Sequence, residues 1–300
     1  MNSPFHEGEI SLQKSLGIDQ RMDTFGRKVI RDFMPDQHRK FYCELPYIFL
    51  GHQDPQGDLW ASVLSSQTNF ISSPNENELA IKNLIHEEDP LSKSIEQGLV
   101  DVGLLGINLE NRRRNRLSAR ISSANKDQLQ IRVKQSFGNC PKFISKRRLL
   151  SNKNHSPQEK STQSNFFTSS MRKLIKQADT FFVASSSGTH NDQKSSGADV
   201  SHRGGDPGFI QIENDTTLCI PDYSGNGHFN TLGNFLINPR AGLLFIDFEN
   251  ATLISMTGKA ELFLDTPKEK HFPGAERLWR FYLKQAICIP NALPFKWQKI

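Results

Sequence analysis

The stretches VGLLGINLEN (102–111) and AGLLFIDFEN (241–250) decide how this chain is read. Six of the ten positions are identical. At the same offset LSAR (117–120) is answered by MTGK (256–259), with a small residue, Ala119 or Gly258, ahead of a cation. Self-similarity at a fixed offset is most simply two copies of one structural unit.

Outward from these stretches, each copy reads as short strands cut by turns. The second offers TFFVAS (180–185), FIQIE (209–213), TLCIP (217–221), GLLFIDF (242–248) and TLISMTGKAELFL (252–264), rich in Phe, Ile, Leu and Thr and bounded by Gly, Asn, Asp or Pro. The first offers YIFLGHQ, LWASVLS, NFISS, ELAI, VGLLGINL, RLSARIS and LQIRVKQSF in the same order. Many short strands at this spacing point to antiparallel barrels, which leave no exposed sheet edge. Helical signals are fewer. SSMRKLIKQAD (169–179) has serine caps and apolar Met171, Leu174, Ile175 and Ala178 at helical spacing. The polar run before it predicts a linker at 146–168, between an N-terminal barrel at 1–145 and a C-terminal one at 169–300. A second polar run, 185–200, predicts a long loop inside the second barrel, a length usual only in functional or disordered segments.

With 300 residues, 36% hydrophobic and 23% charged, the chain is long enough for two ordinary cores. No apolar run approaches the eighteen or so residues of a membrane span, and MNSPFHEGEI lacks the layout of a signal peptide. A cytoplasmic protein without membrane partners is expected. Cys43, Cys140, Cys219 and Cys288 are scattered, which suits neither a disulfide framework nor a metal site. The net charge of +5 and the clusters RRRNR (112–116) and KRR (146–148) are more readily solvated faces than a nucleic-acid surface. No Ser-His-Asp order, HExxH, Walker loop or GxGxxG is present, so hydrolase, zinc protease, P-loop and Rossmann readings have no support.

The chemistry concentrates in GADVSHRGGDPGF (197–209) and PDYSGNGHFNTLGNFLINPRAGLLF (221–245). A Gly-rich turn leading into a helix start suits a phosphate, with Asn, His and Thr side chains as further donors, although Gly-Asn-Gly between strands is more often a plain hairpin. These two stretches, in this order, resemble the FMN-binding split barrel of the pyridoxamine 5′-phosphate oxidase-related family. QSFGNCPKFISKR (135–147) and GAERLWRFYLKQAICIPNALPFKW (274–297) resemble a branch of that family with two such barrels. The resemblance implies a mainly β chain of two tandem split barrels that binds FMN. It places Ser201, His202 and Arg203 where a barrel strand meets the isoalloxazine ring, with Gly204 and Gly205 letting the backbone pass close. The plainer reading of His202 and Arg203 is a surface pair at a loop, and Asp206 fits a turn.

At the phosphate the chain departs from the family, which carries a Ser-Arg-Lys type sequence after the Gly turn. Here stand Asn226, Gly227 and His228, so compensating charge is expected from Arg203, Arg240 or Lys259, with Asn230 and Thr231 as direct donors. Binding should then sharpen below neutral pH as His228 protonates. The first barrel, with GHQDPQGDLWAS (51–62) against the His-Arg loop and acidic SSPNENELAI (72–81) against the Gly turn, reads as a degenerate partner. Paired barrels would form one cleft inside a single chain, completed by Arg112, Arg113, Arg114 and Arg116 unless these are a solvated hairpin. A homodimer fits equally, and Trp60 and Trp279 are candidates to stack on the flavin, with a buried core aromatic as the default reading.

The implied activity is an FMN-dependent oxidoreductase acting on a small molecule, fed by a reduced nicotinamide or a separate reductase; no catalytic residue is singled out. Two alternatives stay open, a haem-handling protein using His202, His228 or His190, and a flavin-binding module without catalysis.

Overall fold

A computed structural model of the chain describes residues 3–82, 84–96, 98, 100–153, 155, 160–188, 195–264 and 272–300. Three helices come first, α1 (Glu7–Ser15), α2 (Asp19–Val29) and α3 (Asp36–Cys43). The first barrel follows with β1 (Tyr47–Gln53), β2 (Leu59–Ser65), β3 (Ile71–Asn75), β4 (Glu78–Lys82), α4 (Pro90–Glu96), β5 (Val100–Ile107), β6 (Arg114–Ala124) and β7 (Gln128–Gly138). Next come β8 (Arg147–Ser151), β9 (Thr162–Ser164) and α5 (Ser169–Gln177). The second barrel contains β10 (Thr180–Ser186), β11 (Ala198–Gly204), β12 (Gln211–Ile212), β13 (Thr217–Tyr223), α6 (Asn230–Ile237), β14 (Arg240–Asp247), β15 (Thr252–Phe263) and β16 (Ala275–Ile289), and β17 (Phe295–Lys299) ends the chain.

The two main sheets are antiparallel and share one strand order, β2-β1-β5-β6-β7-β4-β3 and β11-β10-β14-β15-β16-β13-β12. The sequence echo falls on equivalent strands, β5 with β14 and β6 with β15. The chain is therefore mainly β, with two tandem split barrels, as the resemblance implies. Each sheet wraps its own core, Ile48, Leu104 and Ile131 among the first and Phe181, Leu243 and Trp279 among the second. A third apolar cluster, holding Phe49, Trp60, Phe182 and Leu244, is shared between the barrels.

The barrels meet about a pseudo-twofold axis. Phe49 and Phe182, equivalent through their partners Leu105 and Leu244, stack on each other with ring centroids 3.7 Å apart. Equivalent glycines seal the crossing on either side. A Cβ on Gly103 would fall 2.3 Å from Asp199 Cα, and one on Gly242 would fall 2.6 Å from the Leu59 carbonyl oxygen. Only hydrogen at these positions lets β5 lie on β11 and β14 on β2.

Several local expectations need correction. The β1/β2 and β10/β11 registers make Ser62, Val63, Leu64 and Ser65 the counterparts of Ser201, His202, Arg203 and Gly204, so the expected stretch 51–62 meets the true counterpart only at Ser62. Residues 72–81 form the β3–β4 hairpin, which matches the β12–β13 hairpin; the counterpart of the Gly turn is the connection from β4 to α4. The N-terminal helices had no expectation because α1 is capped by His6, an unusual N-cap, whose ring accepts from the Gly8 N–H while Glu9 accepts from the His6 N–H. The stretch read as linker contributes β8, paired with β17, and β9, paired with β16. Residues 189–194 of the long loop lie outside the described residues. No helix among the described residues is long and apolar enough to cross a membrane.

Candidate functional site

A cleft of about 400 Å³ opens where the end of the second barrel meets β6 of the first, within the range of small-molecule sites. The second barrel supplies the end of β11, the turn after β13, the start of α6 and the start of β16. The first supplies Arg114 and Arg116 of β6 and the segment after β7, and Leu16, Ile18 and Arg21 of the N-terminal helices close the third side.

Cations dominate this cleft. Arg203 and Arg277 share Asp222, Arg203 through a short contact and Arg277 through Nε at 3.1 Å, while Arg277 also donates to Glu276 at 2.6 Å. Arg116 pairs with Asp199 and donates to Asn230 Oδ1 at 3.0 Å. Arg114 has no carboxylate partner among the described residues, and neither its Nε nor that of Arg203 has a hydrogen-bond partner. Burial, with Arg203 close by, pushes Arg114 down to about 10, and burial beside Arg114 pushes Arg116 down to about 9. These directions mean that positive charge is crowded and poorly solvated here, a condition that an anion would relieve. The first turn of α6 also faces the cleft, entered through Phe229 in the left-handed region (φ 61°) and capped by no side chain. Its leading N–H groups add to a natural anion site.

Seven of the nine expected site residues line the cleft: Ser201, His202, Arg203, Gly204, Asn226, Asn230 and Thr231. Thr231 donates to Ser201 Oγ at 2.9 Å, leaving the Ser201 hydroxyl proton for the cleft. His202 is buried with its ring edge-on to Phe182, both ring nitrogens lack partners, and burial beside Arg114 holds it neutral. Asn226 ties the two barrels together by donating to Asn139 Oδ1 at 3.1 Å.

Other roles change. Asn230 is already engaged, one amide N–H donating to Glu9 and its oxygen accepting from Arg116. Gly204 and Gly205 make room for protein, a Cβ on them falling 2.0 Å from the Phe143 carbonyl oxygen and 2.6 Å from the Phe209 ring. His228 lies behind the wall among the rings of Phe5, Phe25 and Phe137, and burial pushes it down to about 4. It cannot supply the phosphate cation expected of it below neutral pH. Lys259 is exposed on β15 away from the cleft, and Arg240 is turned to the Gly57 carbonyl at 2.9 Å. Asp206 closes a turn through its carbonyl, which accepts from the Phe209 N–H at 3.0 Å. Trp60 and Trp279 are buried.

The arginine cluster divides in two. Arg114 and Arg116 complete the cleft, whereas Arg112 is exposed and Arg113 lies over the Phe41 ring. Arg277 went unmarked in the sequence, and only the β13–β16 register, Asp222 opposite Arg277, reveals it.

Among the described residues, the pseudo-equivalent position on the other side is filled by apolar side chains. Leu253 and Ser255 stand where Arg114 and Arg116 do, and Val63 replaces His202. Val63, Leu253, Ile287, Ile289 and Leu293 belong to the shared apolar core. Behind them, His52 bonds Ser62 and Ser94 at 3.1 Å each, and Ser62 donates to Asp89 at 2.6 Å. All four are buried, so this network fills space and offers no access.

No protein family and no curated protein matches the sequence. Among solved structures the chain is similar to a point variant of HupZ from Group A Streptococcus, at 12% identity over 41% of this chain and 99% of that one (TM-score 0.32). It is also similar to an FMN-binding protein from Syntrophomonas wolfei, at 7% identity over 42% and 96% (TM-score 0.29). A third is HutZ, the heme storage protein from Vibrio cholerae, at 10% identity over 41% and 94% (TM-score 0.28).

Proposed function

We propose that the chain is an FMN-binding oxidoreductase with one cofactor site, built between its own two barrels. The observation that carries this reading is the convergence of Arg114, Arg116, Arg203 and Arg277 with the uncapped start of α6 on one cleft. That donor set fits a phosphate. The apolar and aromatic residues of the same cleft, Phe143 stacked with Tyr223 and the nearby Leu16 and Ile18, fit a flat ring. Arg114, Arg116 and the α6 N–H groups would hold the phosphate, with Ser201, His202 and Arg203 meeting the ring. FMN, when bound, supplies hydride transfer, and the protein sets its orientation and potential. A cation such as Arg203 near the ring favours the reduced, more negative form. A reduced nicotinamide or a separate reductase would supply electrons for a small-molecule substrate, in the cytoplasm, where four cysteines not joined in disulfides belong.

One observation favours a second reading. His202 offers a neutral imidazole with both nitrogens unpartnered at the cleft wall, which is the state of a haem ligand. Of the other histidines considered, His228 faces away from the cleft and His190 lies outside the described residues. The absorption spectrum of the purified chain separates the two. Bands near roughly 370 and 450 nm with FMN released by acid support the flavin reading, and a Soret band replaces it with haem.

Arg114→Ala is expected to weaken FMN binding by about ten- to a hundredfold, the worth of one charge-assisted hydrogen bond. Its Tm should hardly move, because no carboxylate among the described residues depends on Arg114. Unchanged FMN affinity in fluorescence titration would remove Arg114 from the site.

A further inference from the structure

Behind the start of α6 lies a second cavity, of about 30 Å³, lined by His6, Glu9, Gln135, Asp199, Asn230 and Asn234. It has room for about one water. Glu9 accepts the backbone N–H of His6 at 2.9 Å on one oxygen and the Asn230 amide on the other. Asn230 in turn accepts from Arg116 Nη1 at 3.0 Å, and Arg116 is paired with Asp199. A hydrogen-bonded chain therefore runs from α1, through the first residue of α6, to an arginine of the opposite barrel. An amide has one donor end and one acceptor end, so Glu9 fixes which way Asn230 points and hence what it offers Arg116.

The packing leaves no slack for another arrangement. α1 crosses α6 so closely that a Cβ on Gly8 would fall 2.1 Å from the Gly233 carbonyl oxygen. Gln13 adds a bond to the Gly227 carbonyl at 3.3 Å. We propose that Glu9 is a positioning residue for the cleft: through Asn230 it aims the Arg116 guanidinium, and its proton state sets the net positive charge offered to a phosphate-bearing ligand. This rests on the anion-binding reading of the cleft.

Burial pushes Glu9 up to about 8. Its charged or titratable neighbours are His6 on its own helix at 3.5 Å, Arg116 from β6 and Asp199 from β11; Asn230 and Asn234 from α6 and Gln135 from β7 are neutral. Burial keeps His6 neutral down to about 4, as it does His228 beyond Phe137. Below pH 8 Glu9 is neutral and Arg116 faces only Asp199; above it a second carboxylate offsets the guanidinium. Affinity for an anion should therefore fall as the pH rises.

The test measures FMN and inorganic pyrophosphate affinity of the full chain from pH 7 to 9.5 in the wild type and in Glu9→Gln side by side, because the ionisations of pyrophosphate and of Arg116 in that range are common to both chains and cancel in the comparison. Relative to Glu9→Gln, the wild type should lose about tenfold more affinity for both ligands between pH 7 and 9.5, the effect of a shift of one pKa unit on binding. Glu9→Gln, whose single amide oxygen can still accept from Asn230 while the contact to the His6 N–H is lost, should bind as wild type does at pH 7 and lose the part of the pH dependence that Glu9 supplies. An equal decline in both chains belongs to Arg116, the ligand or another group and overturns the proposal, as does a flat profile in the wild type. Pyrophosphate binding without FMN binding would sink the flavin reading alone, and the pyrophosphate profile would still decide the role of Glu9. Binding of neither ligand overturns both.

Discussion

Acidification from pH 7 to 5 is expected to remove on the order of 5 kcal/mol of folding stability, a large share of the usual total. The cause is a set of histidines folded in their neutral form. Burial pushes His6, His38 and His228 down to about 4 and His52 to about 3, and His202 also lies well below its ordinary value. Each has its reason in packing. His52 spends both ring nitrogens on serine hydroxyls, and His38 bonds Ser136 at 2.9 Å with Arg113 and Arg31 nearby.

In the unfolded chain these rings protonate near 6.5, so between 6.5 and 4 the unfolded state binds more protons and stability falls with pH. His6, His38, His52 and His228 each contribute about 2 kcal/mol or less between pH 7 and 5, least for His38 with its partly exposed surroundings. Glu9 acts in the opposite sense, because its raised folded value favours the folded state as the pH drops, and it offsets about the loss from one histidine. Urea unfolding at pH 7 and pH 5 reads the difference. A midpoint that stays level or rises on acidification would mean that these rings are not buried neutral.

Phe49→Ala is expected to cost about 3 to 5 kcal/mol, the usual effect of emptying a buried aromatic site. Phe49 and Phe182 stack on the pseudo-twofold axis, so truncating either leaves a void between the barrels that neither can fill alone. At a few degrees per kcal/mol for a chain of this size, Tm should fall by roughly 10 °C. Gly103→Ala attacks the same seam by overpacking, since its new Cβ meets Asp199 backbone that no rotamer change can move. Because Asp199 also holds Arg116, that variant should weaken anion binding along with stability. Calorimetry that finds both variants as stable as the wild type would mean that the barrels do not depend on this contact.

The strand plan was legible because it is local. Short runs rich in Phe, Ile, Leu and Thr between turn residues mark the strands, and the repeated GLL and EN of 102–111 and 241–250 align the two barrels without any structure. The site was legible only in part, because it is built across the seam. Ser201, His202 and Arg203 sit in one quotable stretch, but Arg114 and Arg116 reach the cleft only through the packing of β6 beside the second barrel. Their spacing of two, which puts both on one face of a strand, was the available signal. His228 misled for the opposite reason: it follows the Gly turn as a phosphate ligand would, yet the turn points its ring away into three phenylalanines. Helix α1, which carries Glu9 and follows Phe5, escaped notice because the cap that starts it is a histidine.

The most direct test of a single phosphate-binding cleft between two unequal barrels is calorimetric titration of FMN into the full chain, with riboflavin titrated in parallel. The expected result is one FMN per chain, because the pseudo-equivalent position is packed with Val63, Leu253 and Leu293. Riboflavin, which lacks the phosphate, should bind on the order of a hundredfold more weakly. Two FMN per chain, or equal affinity for FMN and riboflavin, would contradict the account.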